Sequence, residues 1–413
     1  MRKLYSSLGV KLLFVALYIT ANIWAALVII DKNELIADHA SWPAPTAEQI
    51  LYALMLIISS YILIFFIGNE KEENEPKYKK IINSKAFSVT IFCIQLIFFA
   101  FVIIYSAGSA GGDMDKGGGA LRFIFYVINP DMLFLVYYAA TMYAKSKIPY
   151  RNSNLVLFFI SNIARGWIGQ ALFIVFIGAI SWVHSSNRKL SAKKLLAFAV
   201  FTPLFFIAAS FLMYIKVALR LGFDAVVGLI QNVDFFEVLS GFFEIIFSRL
   251  QLISTVSFQI VKKPELTQYI ENGTVGNFYT DGLPQQVIYK LLGMSPGDNL
   301  NLFLWQNYIP GYFFESQTTF QPGLVAWFYI LPYYWILPFI VYIVFLCLLN
   351  FKLVSFIGGN GLRHLSWFAI LIFLIPSWLG AYVSFIWSLF VFIVMVSLGY
   401  TINTNFRFLS KKW

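Results

Sequence analysis

Apolar and polar residues are segregated into long blocks along this chain. Continuous apolar runs fall at about 12–30, 50–68, 86–106, 122–143, 195–215, 323–349, 365–379 and 383–401. About 20 apolar residues in a helix cross a hydrocarbon core ~30 Å thick, so these runs predict membrane-spanning helices. The run at 122–143 is interrupted by Asn129-Pro130-Asp131, and the run at 323–349 carries Pro332 and Pro338. One stretch fits no single span. Asn154 to Val183, NLVLFFISNIARGWIGQALFIVFIGAISWV, holds one charge, Arg165. As one helix it would reach about 45 Å, whereas two full crossings need about 40 residues. A hairpin of two short limbs, counted as spans five and six, resolves the mismatch. Arg165 then lies near its tip, about 16 Å along the first limb.

The predicted fold is therefore all-α: a polytopic integral membrane protein of about ten transmembrane helices, forming a single transmembrane domain over 1–413. It includes the short re-entering helical hairpin and one large external loop region at 216–322. Within that region Asp234, Glu237, Ser240, Glu244, Ser248 and Gln251 recur at helical spacing between Phe, Leu, Ile and Val. That periodicity predicts an amphipathic helix lying on the bilayer or the bundle. Beyond Pro264 the text turns to ENGTVGNFYTDGLPQQ, MSPGDNLN and IPGYFFESQTTFQPG, which is loop chemistry.

Composition agrees. The chain is 59% hydrophobic and 12% charged, with a mean hydropathy of +0.74, which excludes an ordinary soluble domain. The net charge of +10 is a matter of placement. Lys71, Lys77, Lys79, Lys80 and Lys85 crowd one connection, Lys145, Lys147 and Arg151 precede the hairpin, and Arg188, Lys189, Lys193 and Lys194 follow it. Under the positive-inside bias these segments and both termini are cytoplasmic. A single crossing at 154–183 would export every later basic cluster, so charge favours the hairpin. The same placement argues against a nucleic-acid partner. The first run lacks a small-residue cleavage pattern and predicts a retained helix. Cys93 and Cys347 stand far apart in apolar runs and offer neither a disulfide framework nor a metal site.

An arginine at mid-membrane depth costs a few kcal/mol unless an anion meets it. For Arg165 that anion is Asp131, near the Asn-Pro break, or an anionic head group, with phosphate matching the guanidinium fork. Arg220 and Arg249 are further candidate cations, each with a carboxylate close by, Asp224 and Glu244. Among the external acids, Asp281 in YTDGLP and Glu315 in FFESQTT stand beside aromatics and hydroxyls and could take a proton from a sugar hydroxyl. Lys290, Gln317 and Thr318 are candidate substrate contacts in the same region. Its Tyr, Phe, Trp, Asn, Gln and Thr suit a sugar-binding surface and equally an interfacial belt. Asp113-Met114-Asp115 and Asn272-Gly273-Thr274 match short motifs that chance supplies readily. No P-loop, HExxH or GxSxG is present, and His39, His184 and His364 are scattered.

Three stretches, SNIARGWIGQALFIVFIGA, FSRLQLIST and TTFQPGLVAWFYI, together with the topology, resemble the Wzy-type O-antigen and oligosaccharide repeat-unit polymerases. The resemblance implies a multi-pass protein of the bacterial inner membrane. It implies a C-type, metal-independent glycosyltransferase that uses no cofactor and moves a growing glycan from undecaprenyl diphosphate onto the next lipid-linked repeat unit at the periplasmic face. Arg165 and Arg249 match the family's externally facing arginines, with Arg165 on the diphosphate. The implied partners are the undecaprenyl-diphosphate-linked oligosaccharide, the bilayer and a chain-length regulator. The chain departs from the arginine–ten–glycine spacing of some members, since 176 is Phe and 260 is Ile. It also lacks the outer-loop histidine of O-antigen ligases. The competing class is a flippase for lipid-linked oligosaccharides, with the ligase a further alternative.

Overall fold

The computed structural model describes residues 4–36, 42–66, 76–105, 119–144, 147–165, 168–185, 250–294, 297–308 and 321–410. Among them the regular elements are helical, apart from two isolated bridges, Glu34 with Pro43 and Val275 with Asp298. The first half contains α1 (Leu4–Lys32), α2 (Ala47–Leu63), α3 (Lys79–Ile82), α4 (Lys85–Tyr105), α5 (Gly119–Ile128), α6 (Pro130–Ala140), α7 (Arg151–Arg165) and α8 (Ala171–Ser185). The second contains α9 (Ile253–Val261), α10 (Lys263–Glu271), α11 (Leu283–Leu291), α12 (Leu300–Tyr308), α13 (Trp327–Ile330), α14 (Tyr333–Ile357), α15 (Asn360–Ala369) and α16 (Leu379–Ser410).

Five helices among the described residues are long and apolar enough to cross a membrane: Ser7–Lys32, Lys85–Tyr105, Leu121–Ala140, Tyr333–Ile357 and Leu379–Thr401. They present outward rows of exposed apolar side chains, such as Leu337, Val341, Val344 and Leu348 on α14. Together these features suggest a membrane-embedded protein. The expected count of about ten crossings is not supported. The run at 195–215 lies outside the described residues. The helices over Ala47–Leu63, Ala171–Val183 and Asn360–Leu374 are apolar but shorter than a full crossing requires. The predicted span at 323–349 also moves. Leu331 is extended (ψ 140) because Pro332 follows it, so the long helix begins at Tyr333 and runs on to Ile357.

The Asn-Pro break behaves as a hinge between α5 and α6. Asn129 sits in the left-handed region (φ 46), its side chain accepts from the Met132 N–H, and Pro130 opens α6. Proline lacks an N–H, so the helical ladder is interrupted there. Near this break, in the last turn of α5, the Val127 carbonyl accepts from the Trp387 indole on α16, at 2.7 Å.

The 154–183 stretch is broken after Arg165. α7 climbs from Arg151, which donates to the Thr141 carbonyl, to Arg165, which meets Asp131. α8 then returns: Phe173 meets Phe373, and one turn later Phe176 stacks on Phe368 and Trp367. That heads toward Gly361, which lies against Ala139 and Met142 at the Thr141 end. The limbs share α6 as a neighbour but otherwise diverge, α7 packing on α4 and α8 on α1 and α15. A buried network at the foot of α7 joins it to α4: Gln95 donates to Asn154, which donates to the Ser88 carbonyl.

The bundle has two chemically distinct ends. Lys77, Lys79, Lys80 and Lys85 gather near Ile81, which lies beside Gly399 of α16. Gly380, at the other end of α16 and about 30 Å away by helical rise, lies beside Asp281 and Gly282. Elements α9 to α12 occupy this second end. The region expected as external loop is thus largely helical where it is described. Residues Ile253 to Gln259 of α9 are buried, packed on α1 and α2. Its N-cap residue, Leu252, has no capping side chain, and Asn22 of α1 substitutes: its Oδ1 accepts from Leu252 N at 2.8 Å and Ile253 N at 3.1 Å. The predicted amphipathic helix over 234–251 lies almost wholly outside the described residues.

Replacing Asn22 with Leu orphans two buried donors and costs roughly 1–3 kcal/mol for each. Thermal unfolding in detergent should show a lowered midpoint, and Asn22→Asp, which keeps an acceptor, should retain part of the loss.

Candidate functional site

Arg165 ends α7 with 5% of its side chain exposed. Its Nη2 donates to Asp131 Oδ2 at 2.5 Å and to Asn162 Oδ1 at 3.2 Å, and its Nε donates to the Ser161 carbonyl. The guanidinium carbon lies 4.9 Å from the Phe98 ring centre. Asn162 Nδ2 also reaches Asp131 Oδ1, at 3.4 Å. Asp131 stands in the first turn of α6, where the helix dipole favours an anion. Of the two anions open to Arg165 on the sequence, the one beside it is Asp131. A diphosphate would have to displace that carboxylate. Sequence reading passed over Asn162 and Phe98. The signal for Asn162 was available, since it lies three residues before Arg165 on the same helix face.

A second cluster forms at the opposite end from the lysines, around Asp281. The segments 273–276 and 297–299 are laced together, Gly276 N donating to the Asp298 carbonyl and Asp298 N to the Thr274 carbonyl. Gly297 permits this approach: its φ is +76, and a Cβ there would lie 2.6 Å from the Gly273 oxygen. Asn299 is thereby fixed. Its Oδ1 accepts from Asn301 N at the start of α12, which leaves Nδ2 to donate to Asp281 Oδ1. Gly282 (φ +126) turns the chain against Val383 of α16, where a side chain would collide. Tyr126 and Tyr342 lie within electrostatic reach of the carboxyl, and Gln285 donates to the Tyr342 hydroxyl at 3.2 Å.

Asp281 is 7% exposed. Burial pushes its carboxyl up from 3.8 to about 7, against the opposing pull of the Asn299 hydrogen bond. A carboxyl that titrates near neutrality, held by one amide beside phenols, is equipped to take and return a proton. The preceding residue, Thr280, lines an open cleft of about 290 Å³ with Tyr279, Tyr289, Pro332, Tyr334 and Trp335, and with Glu271 and Asn277 at hydrogen-bonding positions.

Comparison with protein-family models, with curated proteins and with solved structures finds no match. The site must therefore be argued from its own residues. Of the sequence candidates, Arg165 with Asp131 forms one cluster and Asp281 the other. They lie on either side of the α5–α6 hinge, with Tyr126 before it and Asp131 after it. Arg220, Arg249, Glu315, Gln317 and Thr318 lie outside the described residues. Lys290 is the penultimate residue of α11, and its side chain is likewise undescribed. Asn299, Tyr126 and Tyr342 carried no signal, because nothing local in the sequence brings positions 126, 281, 299 and 342 together. Among the described residues, no group of three His, Cys, Asp or Glu gathers as a metal site.

Removing one partner of a buried ion pair costs about 3–5 kcal/mol. Arg165→Ala should therefore depress the thermal midpoint strongly, and Asp131→Asn with Arg165→Gln should recover most of it. Asp281 acts in the reverse sense with pH. Its folded pKa lies above the unfolded value, so the folded state keeps a proton that the unfolded state releases. Stability is fully present below pH 4 and falls as pH rises to about 7. The change amounts to at most about 4 kcal/mol. Asp281→Asn should flatten that dependence and raise the unfolding midpoint at pH 8.

Proposed function

We propose that this chain is a membrane-embedded glycosyltransferase of the polymerase type, extending a lipid-linked glycan at the end of the bundle that holds Asp281. The observation that carries this reading is a buried carboxyl with its pKa near 7, beside a cleft of aromatic, amide and hydroxyl groups. The resemblance of the 154–183 and 318–330 stretches to repeat-unit polymerases points the same way. Under the positive-inside bias the lysine-rich end is cytoplasmic and the Asp281 end external, periplasmic in a bacterial inner membrane. In this topology α7 and α8 form a re-entering hairpin, open on the cytoplasmic side.

In the proposed reaction the acceptor sugar's hydroxyl gives its proton to Asp281. The hydroxyl oxygen bonds to the anomeric carbon of the donor glycan. The bond from that carbon to the undecaprenyl diphosphate breaks, and the diphosphate leaves with the electron pair. Direct displacement inverts the anomeric centre. Positive charge for the leaving group comes from Arg249 and Arg220, with Arg122 on α5. Arg122 stands one turn before Tyr126, and both it and Asp281 act electrostatically on that tyrosine. Preorganised cations at a developing anion lower a barrier by several kcal/mol. Arg165, committed to Asp131, instead holds α6 and α7 in place behind the site. A flippase reading draws on that same pair, because ionisable residues at membrane depth are often parts of transport paths. It gives no role to a carboxyl poised near neutrality.

The test is incubation of the purified protein with lipid-linked repeat units. A ladder of longer glycans is expected, absent in Asp281→Asn. Its rate should rise with pH through about 7 as the base ionises, and Asn299→Ala, which removes the donor that favours the anion, should shift that limb to higher pH. Unchanged chain length in the wild type removes the polymerase reading, and a wild-type ladder from Asp281→Asn removes Asp281 as base.

A further inference from the structure

The cleft beside Asp281 has its own chemistry, separate from the proton transfer. Trp335 and Tyr279 form part of its wall, ring centres 5.5 Å apart and tilted by 38°. Tyr334 stands at the mouth, 54% exposed, and Tyr289 closes another side. These rings cluster where α10 ends and α14 begins, at the external end of the bundle in the proposed topology. An aromatic face is electron-rich, so it attracts the polarised C–H face of a pyranose while excluding water from it. The rim supplies what the equatorial hydroxyls need. Asn277 Oδ1 is occupied by Phe278 N, so its amide Nδ2 is left to donate. Glu271, exposed at the end of α10, accepts. The volume, about 290 Å³, lies near the lower end of small-molecule sites, which run from ~300 to 1,000 Å³.

Charge gives this cleft a preference. Apart from the tyrosines, Glu271 is the ionisable side chain lining it among the described residues, and Asp281 follows Thr280 directly. An anionic sugar entering here meets carboxylate at close range, whereas a hydroxyl or an ammonium meets an acceptor. We propose that this cleft is a pyranose subsite selective for neutral or amino-bearing sugars over uronic acids. The proposal rests on the glycan reading above and adds to it the class of sugar that occupies the site.

Saturation-transfer NMR on the full chain in nanodiscs tests it, with cellobiose, chitosan disaccharide and cellobiouronic acid as probes. Transfer to the first two, at least threefold above the uronic acid, is expected. Tyr334→Ala and Trp335→Phe should each weaken transfer severalfold. Glu271→Gln, which keeps an acceptor oxygen but removes the charge, should narrow the gap between cellobiose and the uronic acid. Transfer undiminished in both aromatic variants, equal transfer to all three sugars in the wild type, or a preference for the uronic acid would overturn the proposal. So would transfer to none of them, as expected if the rings serve only as an interfacial belt. Asp281→Asn separates the two readings. Binding that persists there while chain growth is lost supports both. Chain growth in a wild type that binds no probe refutes the subsite alone. Binding in a wild type that extends no glycan refutes the polymerase alone.

Discussion

A guanidinium and a carboxylate, both almost fully removed from solvent, fix the centre of this bundle. Neither can be buried alone without a penalty of several kcal/mol, so α6 and α7 must arrive together and in register. Phe98 covers the guanidinium from α4, and Asn162 bridges both partners. Asp131 is delivered there because Asn129 and Pro130 end α5 just before it. The hinge, the pair and the short first limb of the hairpin are thus one arrangement, each part requiring the others.

That arrangement separates two jobs which a single arginine looked able to perform. The Arg165–Asp131 pair is buried and hydrogen-bonded. The groups suited to chemistry sit at the far end of the bundle, on segments held by backbone pairing between 273–276 and 297–299. There burial dominates the titration of the Asp281 carboxyl, with the Asn299 amide as the opposing donor. The pattern suits an acid that must change protonation state.

Much of the helical layout was legible from apolar run length, and the break after Arg165 from a stretch too long for one span and too short for two, because run length is a local property of sequence. Asp131 was legible as a partner because both residues carry a charge at similar depth. The count of spans was less so. Runs such as 50–68 and 365–379 are apolar, yet their helices are short, and the second is buried inside the protein, which hydropathy alone does not reveal. The interior position of α9 could not be seen either. Its cap is donated by Asn22, some 230 residues earlier, and no window of sequence contains that contact. Asn299 escaped for the same reason: its value lies in where Gly297 allows the loop to go.

The Val127 carbonyl has a bearing on how the chain is made. The break before Pro130 leaves this acceptor without its helical partner, and the group that answers it, Trp387, is synthesised 260 residues later. During translation the early helices therefore carry an open polar seam. The last long helix closes it. Until then the Val127 carbonyl needs another donor, such as water, so the bundle is complete only when α16 arrives.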